Sequence, residues 1–303
     1  MQDPTNLVNK FGIQAPSPLH AVTLPEGNHG YSLYVKRDDL LHPIISGNKW
    51  RKLQGHLHKM QTSGMTKCIS FGGGFSNHLH ALGYCCKQLD IDLTAIVRGD
   101  YNHQLTPMLQ DLAHWGATLT FVDRKTYQLR DDPNYLAQLS NTHPKANLIP
   151  EGGSDTLALS GVDALLDEIP NLDHFDYLLC PVASAGTFAA LAKGIKDRNS
   201  RCQLIGIAML KGEGYLEELA SRLLPNGFNL PPILHRFHCG GYAKKPDYLE
   251  AFCQALTQSG EVPVEPVYSG KLFYALQQLT QAKYFPRGSA ILALHTGGLQ
   301  GAR

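Results

Sequence analysis

The chain has 303 residues, of which 27 are lysine or arginine and 26 are aspartate or glutamate, so its formal net charge is +1. Hydrophobic residues make up 43% of the chain and charged residues 17%, which is typical of a folded globular protein and excludes intrinsic disorder. The near-zero charge also excludes the sequence-independent binding to nucleic acid that strongly basic proteins show.

At this length the chain exceeds what one hydrophobic core usually serves, so we expect two lobes, with a single large α/β domain as the alternative. No apolar run approaches the roughly 18 residues of a membrane-spanning helix. Residues 1–10 lack the apolar core of a signal peptide. We therefore expect a cytoplasmic protein without a membrane or nucleic-acid partner.

Seven cysteines are scattered along the chain without a Cys-x-x-Cys pair, which argues against disulfides and a zinc ribbon and predicts that most are buried thiols. The cluster His235-x-x-His238-Cys239 offers metal-ligand chemistry. It lies in the run ILHRFHCG, which resembles a strand, and alternation along a strand points His235 and His238 to opposite faces. We expect no metal site.

Strand-like apolar runs alternate with helical runs along the chain. The first half contains YSLYVKRDD, NKWRKLQGHLHKM, KCISFGG, SNHLHALGYCCKQL, DLTAIVRG, LTPMLQDLAHWG and ATLTFVD. The second half contains DYLLCPVAS, GTFAALAKGI, QLIGIAML, YLEELASRLL, ILHRFHCGG, KPDYLEAFCQAL, VEPVYSG, KLFYALQQL and AILALHTGG. This alternation predicts an α/β fold with mostly parallel strands and helices on both faces. Apolar stripes such as Phe188, Leu191 and Ile195 predict the buried helix faces.

Three predicted strands end in glycine-rich turns, at residues 72–78, 184–187 and 295–298. Ligands bind outside the carboxyl ends of parallel strands, so these turns can converge on one cleft. Glycine lets the backbone approach a ligand closely, and the amides that open the following helix offer an anion site. Each turn alone is equally compatible with a simple strand-to-helix connection. The common nucleotide-binding fingerprints and the nucleophile elbow are absent.

Lys49 stands out in the segment SGNKWRKL at residues 46–53, which follows a predicted strand and opens a helix. A lysine beside a glycine turn can capture a carbonyl group if its amine is uncharged. The alternative is a solvated lysine. The helix dipole disfavours a cation at this end, which makes the placement unusual.

Five ordered motifs resemble the 1-aminocyclopropane-1-carboxylate deaminase/D-cysteine desulfhydrase family of pyridoxal-phosphate enzymes. They are Gly47-Asn48-Lys49-x-Arg51-Lys52-Leu53, Ser76-Asn77-His78, Ser184-Ala185-Gly186-Thr187, Tyr268-Ser269-Gly270-Lys271 and His295-Thr296-Gly297-Gly298. The resemblance implies the two-lobed, tryptophan synthase β-subunit-like fold of type II pyridoxal-phosphate enzymes. It implies a large cofactor-binding domain from residues 1–49 and 156–303, an inserted small α/β domain from residues 50–155, and a homodimer.

The same resemblance implies roles for individual residues. Lys49 would form the internal aldimine with pyridoxal 5'-phosphate, Asn77 would bond the ring hydroxyl, and Thr296 would face the pyridine nitrogen. The phosphate would be held by Lys52, Ser184, Ala185, Gly186 and Thr187. Catalytic roles would fall to Lys49, Ser76, Tyr242 and Tyr268. The substrate would contact Ser76, Asn77, His78 and Ser269, with His78 and His295 also expected as wall residues.

Two positions favour one activity within the family. Members that open the cyclopropane ring carry Glu after the tyrosine of VY-x-G-K and Leu in H-x-G-G, whereas this chain has Ser269 and Thr296. The resemblance therefore implies a lyase that eliminates the β-substituent of D-cysteine or a related small D-amino acid, giving pyruvate, ammonia and sulfide. Ring-opening deamination, a hydrolase activity, is the second interpretation.

Two hypotheses from other classes stay open. One is a homologue that binds the cofactor or an amino acid without turnover. The other is a dinucleotide-binding oxidoreductase, which the α/β alternation alone permits and the missing fingerprint makes remote.

Overall fold

In the computed structural model, which describes residues 5–299, ten strands form two separate sheets. The strands are β1 (Leu19–Ala21), β2 (Ser32–Lys36), β3 (Lys67–Gly73), β4 (Asp92–Arg98), β5 (Thr118–Val122), β6 (Ala146–Ile149), β7 (Tyr177–Val182), β8 (Gln203–Ala208), β9 (Ile233–Leu234) and β10 (Ala290–Leu294). The α-helices are α1 (Thr5–Phe11), α2 (Asn48–Thr62), α3 (Asn77–Leu89), α4 (Pro107–His114), α5 (Arg124–Tyr127), α6 (Pro133–Thr142), α7 (Thr156–Asp167), α8 (Gly186–Asp197), α9 (Tyr215–Ser221), α10 (Asp247–Gln258) and α11 (Ser269–Gln281).

The larger sheet has the strand order β1-β2-β10-β7-β8-β9, and the smaller sheet has the order β5-β4-β3-β6. All pairings are parallel except that of β1 with β2. Every strand of the smaller sheet lies between β2 and β7 in sequence, so the chain leaves the larger sheet and returns to it. The predicted mostly parallel α/β architecture is confirmed, while the domain boundaries at 49/50 and 155/156 stay a prediction.

The larger sheet is buried on both faces because its strands alternate between two apolar clusters. Leu178 and Leu292 point into the cluster that contains α8, whereas Leu179 and Ile291 point into the one that contains α11. The predicted stripe of α8 faces the first cluster, where Phe188 is fully buried. Helices therefore cover both faces, as the β/α alternation predicts.

Two predicted strands are wrong over most of their length. In ILHRFHCG only Ile233–Leu234 form a strand, and His235–Phe237 form a 3-10 helix whose His235 Nε2 lies 2.7 Å from Glu217 Oε1. The segment VEPVYSG forms no strand because the Glu265 carboxylate accepts the backbone N–H groups of residues 267–269, which are then unavailable to a sheet.

All seven cysteines lie within the described residues, and each is a buried free thiol, as expected for most of them. Residues 5–299 contain no group of three or more histidine, cysteine, aspartate or glutamate side chains arranged to hold a metal ion. In the same part of the chain, no helix combines the length and the apolar character needed to cross a bilayer.

A buried ion network fixes where α2 begins. Arg51 donates to Asp38 Oδ1 at 3.0 Å and to Glu168 Oε2 at 2.8 Å, and Lys36 donates to Glu168 Oε2 at 2.6 Å. The backbone carbonyl of Asp38 accepts the Gly47 amide at 2.9 Å. The network thereby joins the end of β2, the first turn of α2 and the end of α7.

Replacing the central cation should destabilise the fold. Arg51→Ala is expected to lower the free energy of unfolding by about 3–5 kcal/mol, because it leaves the buried Asp38 carboxylate without its cation. Urea unfolding followed by tryptophan fluorescence measures the change. The control is Arg222→Ala, which removes an exposed pair with Glu218 and should cost about 1 kcal/mol or less. Equal losses in the two variants would contradict a special role for the network.

Candidate active site

The first turn of α2 is pressed against the turn that follows β10. Gly47 has φ +63°, and a Cβ atom there would lie 1.9 Å from the Thr296 carbonyl oxygen, so only glycine fits. The Asn48 amide donates to that same carbonyl at 3.2 Å. The Asn48 side chain donates to Thr187 Oγ1 at 2.9 Å. One residue of α2 therefore contacts the glycine-rich turns that follow β10 and β7.

The turn after β3 reaches the same place. Ser76 is the N-cap of α3, with its hydroxyl accepting the Leu79 amide at 3.2 Å. Asn77 Nδ2 lies 3.0 Å from the position a Cβ of Gly298 would occupy. All three glycine-rich turns therefore converge on one cleft, as their positions at the ends of parallel strands predict.

Lys49 lies in this cleft with its amine donating to Asn48 Oδ1 at 2.6 Å. Burial lowers the pKa of Lys49 to about 8, and the nearby Glu265 charge opposes this by raising it. An amine with this pKa is uncharged in part of the molecules near neutral pH. Lys49 therefore has the state that attack on a carbonyl requires.

A cradle for an anion lies between α2 and α8. Lys52 donates to Ser154 Oγ at 2.7 Å, to Ser184 Oγ at 3.0 Å and to the Gly152 carbonyl at 3.1 Å. A Cβ atom on Gly186, the first residue of α8, would lie 2.8 Å from Ser154 Oγ. The opening amides of α8 have no partner within the helix, and its dipole favours negative charge. This combination of donors fits a phosphate group.

The charges around the cradle are mainly positive. Burial, followed by repulsion from Lys49, holds the pKa of Lys52 well below its ordinary value. Burial and the charges of Lys49 and Lys52 do the same to His78, whose Nε2 lies 2.7 Å from Ser70 Oγ. A dianionic phosphate would offset this repulsion. The His78 ring lies beside the cradle, with Cε1 3.3 Å from the position a Cβ of Gly153 would occupy, and its predicted substrate contact stays a prediction.

A pair of tyrosines lies on the side of the larger sheet. The hydroxyl oxygens of Tyr242 and Tyr268 are 2.9 Å apart, and Tyr242 is 47% exposed. Burial, and then the neighbouring Tyr242, hold the pKa of Tyr268 well above its ordinary value. Tyr268 therefore keeps its proton over the whole physiological range and is available as a hydrogen-bond donor. The structure brings together Tyr242 and Tyr268, the two tyrosines to which the family resemblance assigns catalytic roles.

Glu265 is a buried carboxylate that the sequence reasoning missed. It is 2% exposed, and its oxygens accept the amides of Val267 at 2.6 Å and of Tyr268 and Ser269 at 2.8 Å each. Burial raises its pKa to about 7 even though these hydrogen bonds lower it. Its Oε1 lies 3.9 Å from the position a Cβ of Gly298 would occupy, so the carboxylate borders the cleft. An acidic residue just before a predicted helix is the signal that could have found it.

Two further motif residues have structural partners. The Ser269 hydroxyl bonds Glu265, with Oγ 3.2 Å from Oε1 and 3.0 Å from the Glu265 amide, so its predicted substrate contact stays a prediction. Lys271, for which the sequence indicates no role, is fully buried and donates to the carbonyls of Gly241 at 2.7 Å and Met209 at 3.3 Å. Lys271 thereby fixes the loop that carries Tyr242.

Comparison with known proteins agrees with this geometry. Residues 11–297 match the pyridoxal-phosphate dependent enzyme family, and the chain belongs to it. A putative 1-aminocyclopropane-1-carboxylate deaminase of Pyrococcus horikoshii is 29% identical over 90% of this chain and 86% of its own length. A bifunctional D-cysteine desulfhydrase/1-aminocyclopropane-1-carboxylate deaminase of Arabidopsis thaliana, described as mitochondrial, is 28% identical over 94% of this chain and 77% of its own length. The crystal structure of an ACC deaminase homologue covers 100% of this chain and 96% of its own, with a TM-score of 0.82 and 28% identity.

The predicted family, the type II fold of pyridoxal-phosphate enzymes, the enzyme class and the cofactor are thus confirmed. The residues present also fit the cofactor. Asn77 Oδ1 is buried and has no hydrogen-bond partner among residues 5–299, and the Nδ2 atom of the same side chain lies beside Gly298 in the cleft, so this amide is available to a bound ligand. The roles of Thr296 toward the ring nitrogen and of Ala185 and Thr187 toward the phosphate stay predictions.

The pKa of Lys49 makes cofactor capture pH-dependent. The rate at which cofactor-free protein acquires visible absorbance from pyridoxal phosphate should rise through about pH 8 and then level off, because only the uncharged amine attacks the aldehyde. Glu265→Gln removes a negative charge that raises the pKa of Lys49, so the midpoint should move to lower pH. Rapid mixing at a series of pH values measures it, with Lys49→Ala as the blank. An unchanged midpoint would contradict the electrostatic contact.

Proposed function

We propose that this enzyme is a lyase that eliminates the β-substituent of D-cysteine or a related small D-amino acid, giving pyruvate, ammonia and sulfide. The observation that carries the proposal is the pair Ser269 and Thr296, which stand where ring-opening family members carry Glu and Leu. Both residues are buried at the cleft, 1% and 7% exposed. The hydrolase class, which we expected for ring-opening deamination, is inconsistent with a lyase and is not part of this proposal.

Binding of the substrate is assigned to the start of α3. The amino-acid carboxylate would lie at the helix N-terminus, where Ser76 and Asn77 are the first residues and the dipole favours an anion. The substrate Cα would then be presented to Lys49, which lies in the same cleft.

Proton transfer is assigned to Lys49 and the tyrosine pair. Bound pyridoxal phosphate supplies an electron sink for the negative charge that develops at Cα. Lys49, with its pKa near 8, accepts the Cα proton at Nζ. The Cβ–S bond breaks with its electron pair on sulfur, and Tyr268, backed by Tyr242, donates a proton to the leaving sulfur. The resulting 2-aminoacrylate takes up one water and yields pyruvate and ammonia.

Thr296 is assigned to the reaction's selectivity. If the Thr296 hydroxyl faced the pyridine nitrogen of the bound cofactor, this neutral group would leave the nitrogen largely unprotonated and would weaken the electron sink. A weaker sink favours the elimination of a good leaving group over transamination. We also keep a homodimer and a cytoplasmic location as predictions.

The activity is tested by product analysis. Purified protein loaded with pyridoxal phosphate is expected to release sulfide and pyruvate from D-cysteine, and Lys49→Ala should abolish both. L-cysteine and 1-aminocyclopropane-1-carboxylate are tested beside it. Release of 2-oxobutanoate from the cyclopropane compound without sulfide from D-cysteine would favour the deaminase. An absence of product from all three compounds would favour a binding protein without turnover.

The tyrosine pair gives a second test. Tyr268→Phe should lower kcat for D-cysteine by about 100-fold, within the range typical for loss of a positioned acid, and change KM much less. Tyr215→Phe is the matched control because Tyr215 is an exposed tyrosine at the start of α9 to which no role in the reaction is assigned. A kcat within about twofold of the parent enzyme in Tyr268→Phe would remove Tyr268 from the proton-transfer step.

A further inference from the structure

Arg98 ends β4 at the same edge of the smaller sheet as the candidate site. It is the register partner of Gly73 in β3, the strand whose following turn carries Ser76 and Asn77. The Arg98 Nη2 atom lies 3.7 Å from the position a Cβ of Gly73 would occupy, so the side chain runs along the glycine turn. Because ligands bind outside the carboxyl ends of parallel strands, Arg98 borders the cleft.

The guanidinium of Arg98 has no carboxylate and no hydrogen-bond acceptor among residues 5–299; its contact there is stacking over the Tyr127 ring at 5.5 Å. Glu151, the acidic residue of this cluster, is occupied: Oε1 accepts the Tyr127 hydroxyl at 2.7 Å and Oε2 accepts Arg130 Nε at 2.6 Å. Asp131 lies 3.7 Å from Arg130. Arg98 is therefore the cation of this cluster that is left to bind an external anion.

Arg98 also acts electrostatically on the tyrosine pair. Burial raises the pKa of Tyr242, and the charges of Glu151 and Arg98 act on that hydroxyl in opposite senses. Both charged residues are therefore within electrostatic reach of Tyr242, which bonds Tyr268. A substrate held at the start of α3 would extend its β-substituent between the tyrosine pair and Arg98.

We propose that Arg98 binds a carboxylate at the far end of the substrate's β-substituent. The preferred substrates would then be D-alanine derivatives whose leaving group carries a carboxylate. This inference rests on the proposed β-elimination. A guanidinium matches a carboxylate with two parallel hydrogen bonds, which gives it the selectivity for this group.

S-carboxymethyl-D-cysteine represents this substrate class. Its Cα proton passes to Lys49, its Cβ–S bond breaks with the electron pair on sulfur, and the sulfur takes a proton to leave as mercaptoacetate. The 2-aminoacrylate that remains takes up water and gives pyruvate and ammonia, as with D-cysteine. No oxidant or reductant is required.

The test compares S-carboxymethyl-D-cysteine with S-carbamoylmethyl-D-cysteine, whose β-substituent has nearly the same shape but ends in a neutral amide. The ratio of their kcat/KM values should favour the acid in the parent enzyme and fall about tenfold or more in Arg98→Gln, with partial recovery in Arg98→Lys. Arg124→Gln is the charge-matched control, since Arg124 is an exposed arginine of α5. The control should leave the ratio unchanged. An unchanged ratio in Arg98→Gln would overturn the inference.

A binding experiment separates this inference from the proposed function. In the cofactor-loaded Lys49→Ala protein, which lacks the proposed base, calorimetry should show tighter binding of the acid than of the amide, and Arg98→Gln should remove that preference. Turnover of D-cysteine without a preference for the acid would overturn the role of Arg98 alone. A preference in binding without turnover of any of these compounds by the parent enzyme would overturn the elimination and leave the anion site.

Discussion

The close contact between Gly47 and the Thr296 carbonyl is the constraint on which the rest of the site depends. The first turn of α2 can lie against the turn after β10 only because residue 47 has no side chain and takes a positive φ. This contact sets the depth of Lys49 in the cleft and lets Asn48 reach Thr187. The ion network around Arg51 holds the other side of the same turn. A short segment is therefore fixed from two directions.

The electrostatics of the cleft follow from that placement. Lys49, Lys52 and His78 are drawn close together on one side, where an anionic phosphate is the natural counter-charge. Glu265 borders the same cleft as a carboxyl group with a pKa of about 7. Its Oε1 atom accepts hydrogen bonds from the backbone amides of Tyr268 and Ser269 at the start of α11. The same carboxylate raises the pKa of Lys49. Packing and proton chemistry are thus coupled in a single side chain.

Much of the fold follows from periodicity, because strands that are buried on both faces and helices with one apolar stripe leave clear patterns. The sequence also predicts the location of the site, because the glycines at residues 47, 186 and 298 mark positions where backbone and neighbouring groups approach closely. It does not predict the residues whose roles depend on partners distant in sequence. Lys271 binds Gly241, and the Arg98 guanidinium lies beside Gly73, and neither contact leaves a local signal. The β-branched residues Val264 and Val267 predict a strand before α11. The segment forms no strand because the Glu265 carboxylate accepts its backbone N–H groups.

The buried cysteines have a consequence for the proposed elimination, which would release sulfide. Burial raises the pKa values of Cys180, Cys202 and Cys253 to about 12, so these groups remain as thiols at neutral pH. Thiolates, not thiols, attack disulfides and carry out sulfur exchange. These three thiols are therefore poor nucleophiles at neutral pH, and burial protects them from disulfide exchange.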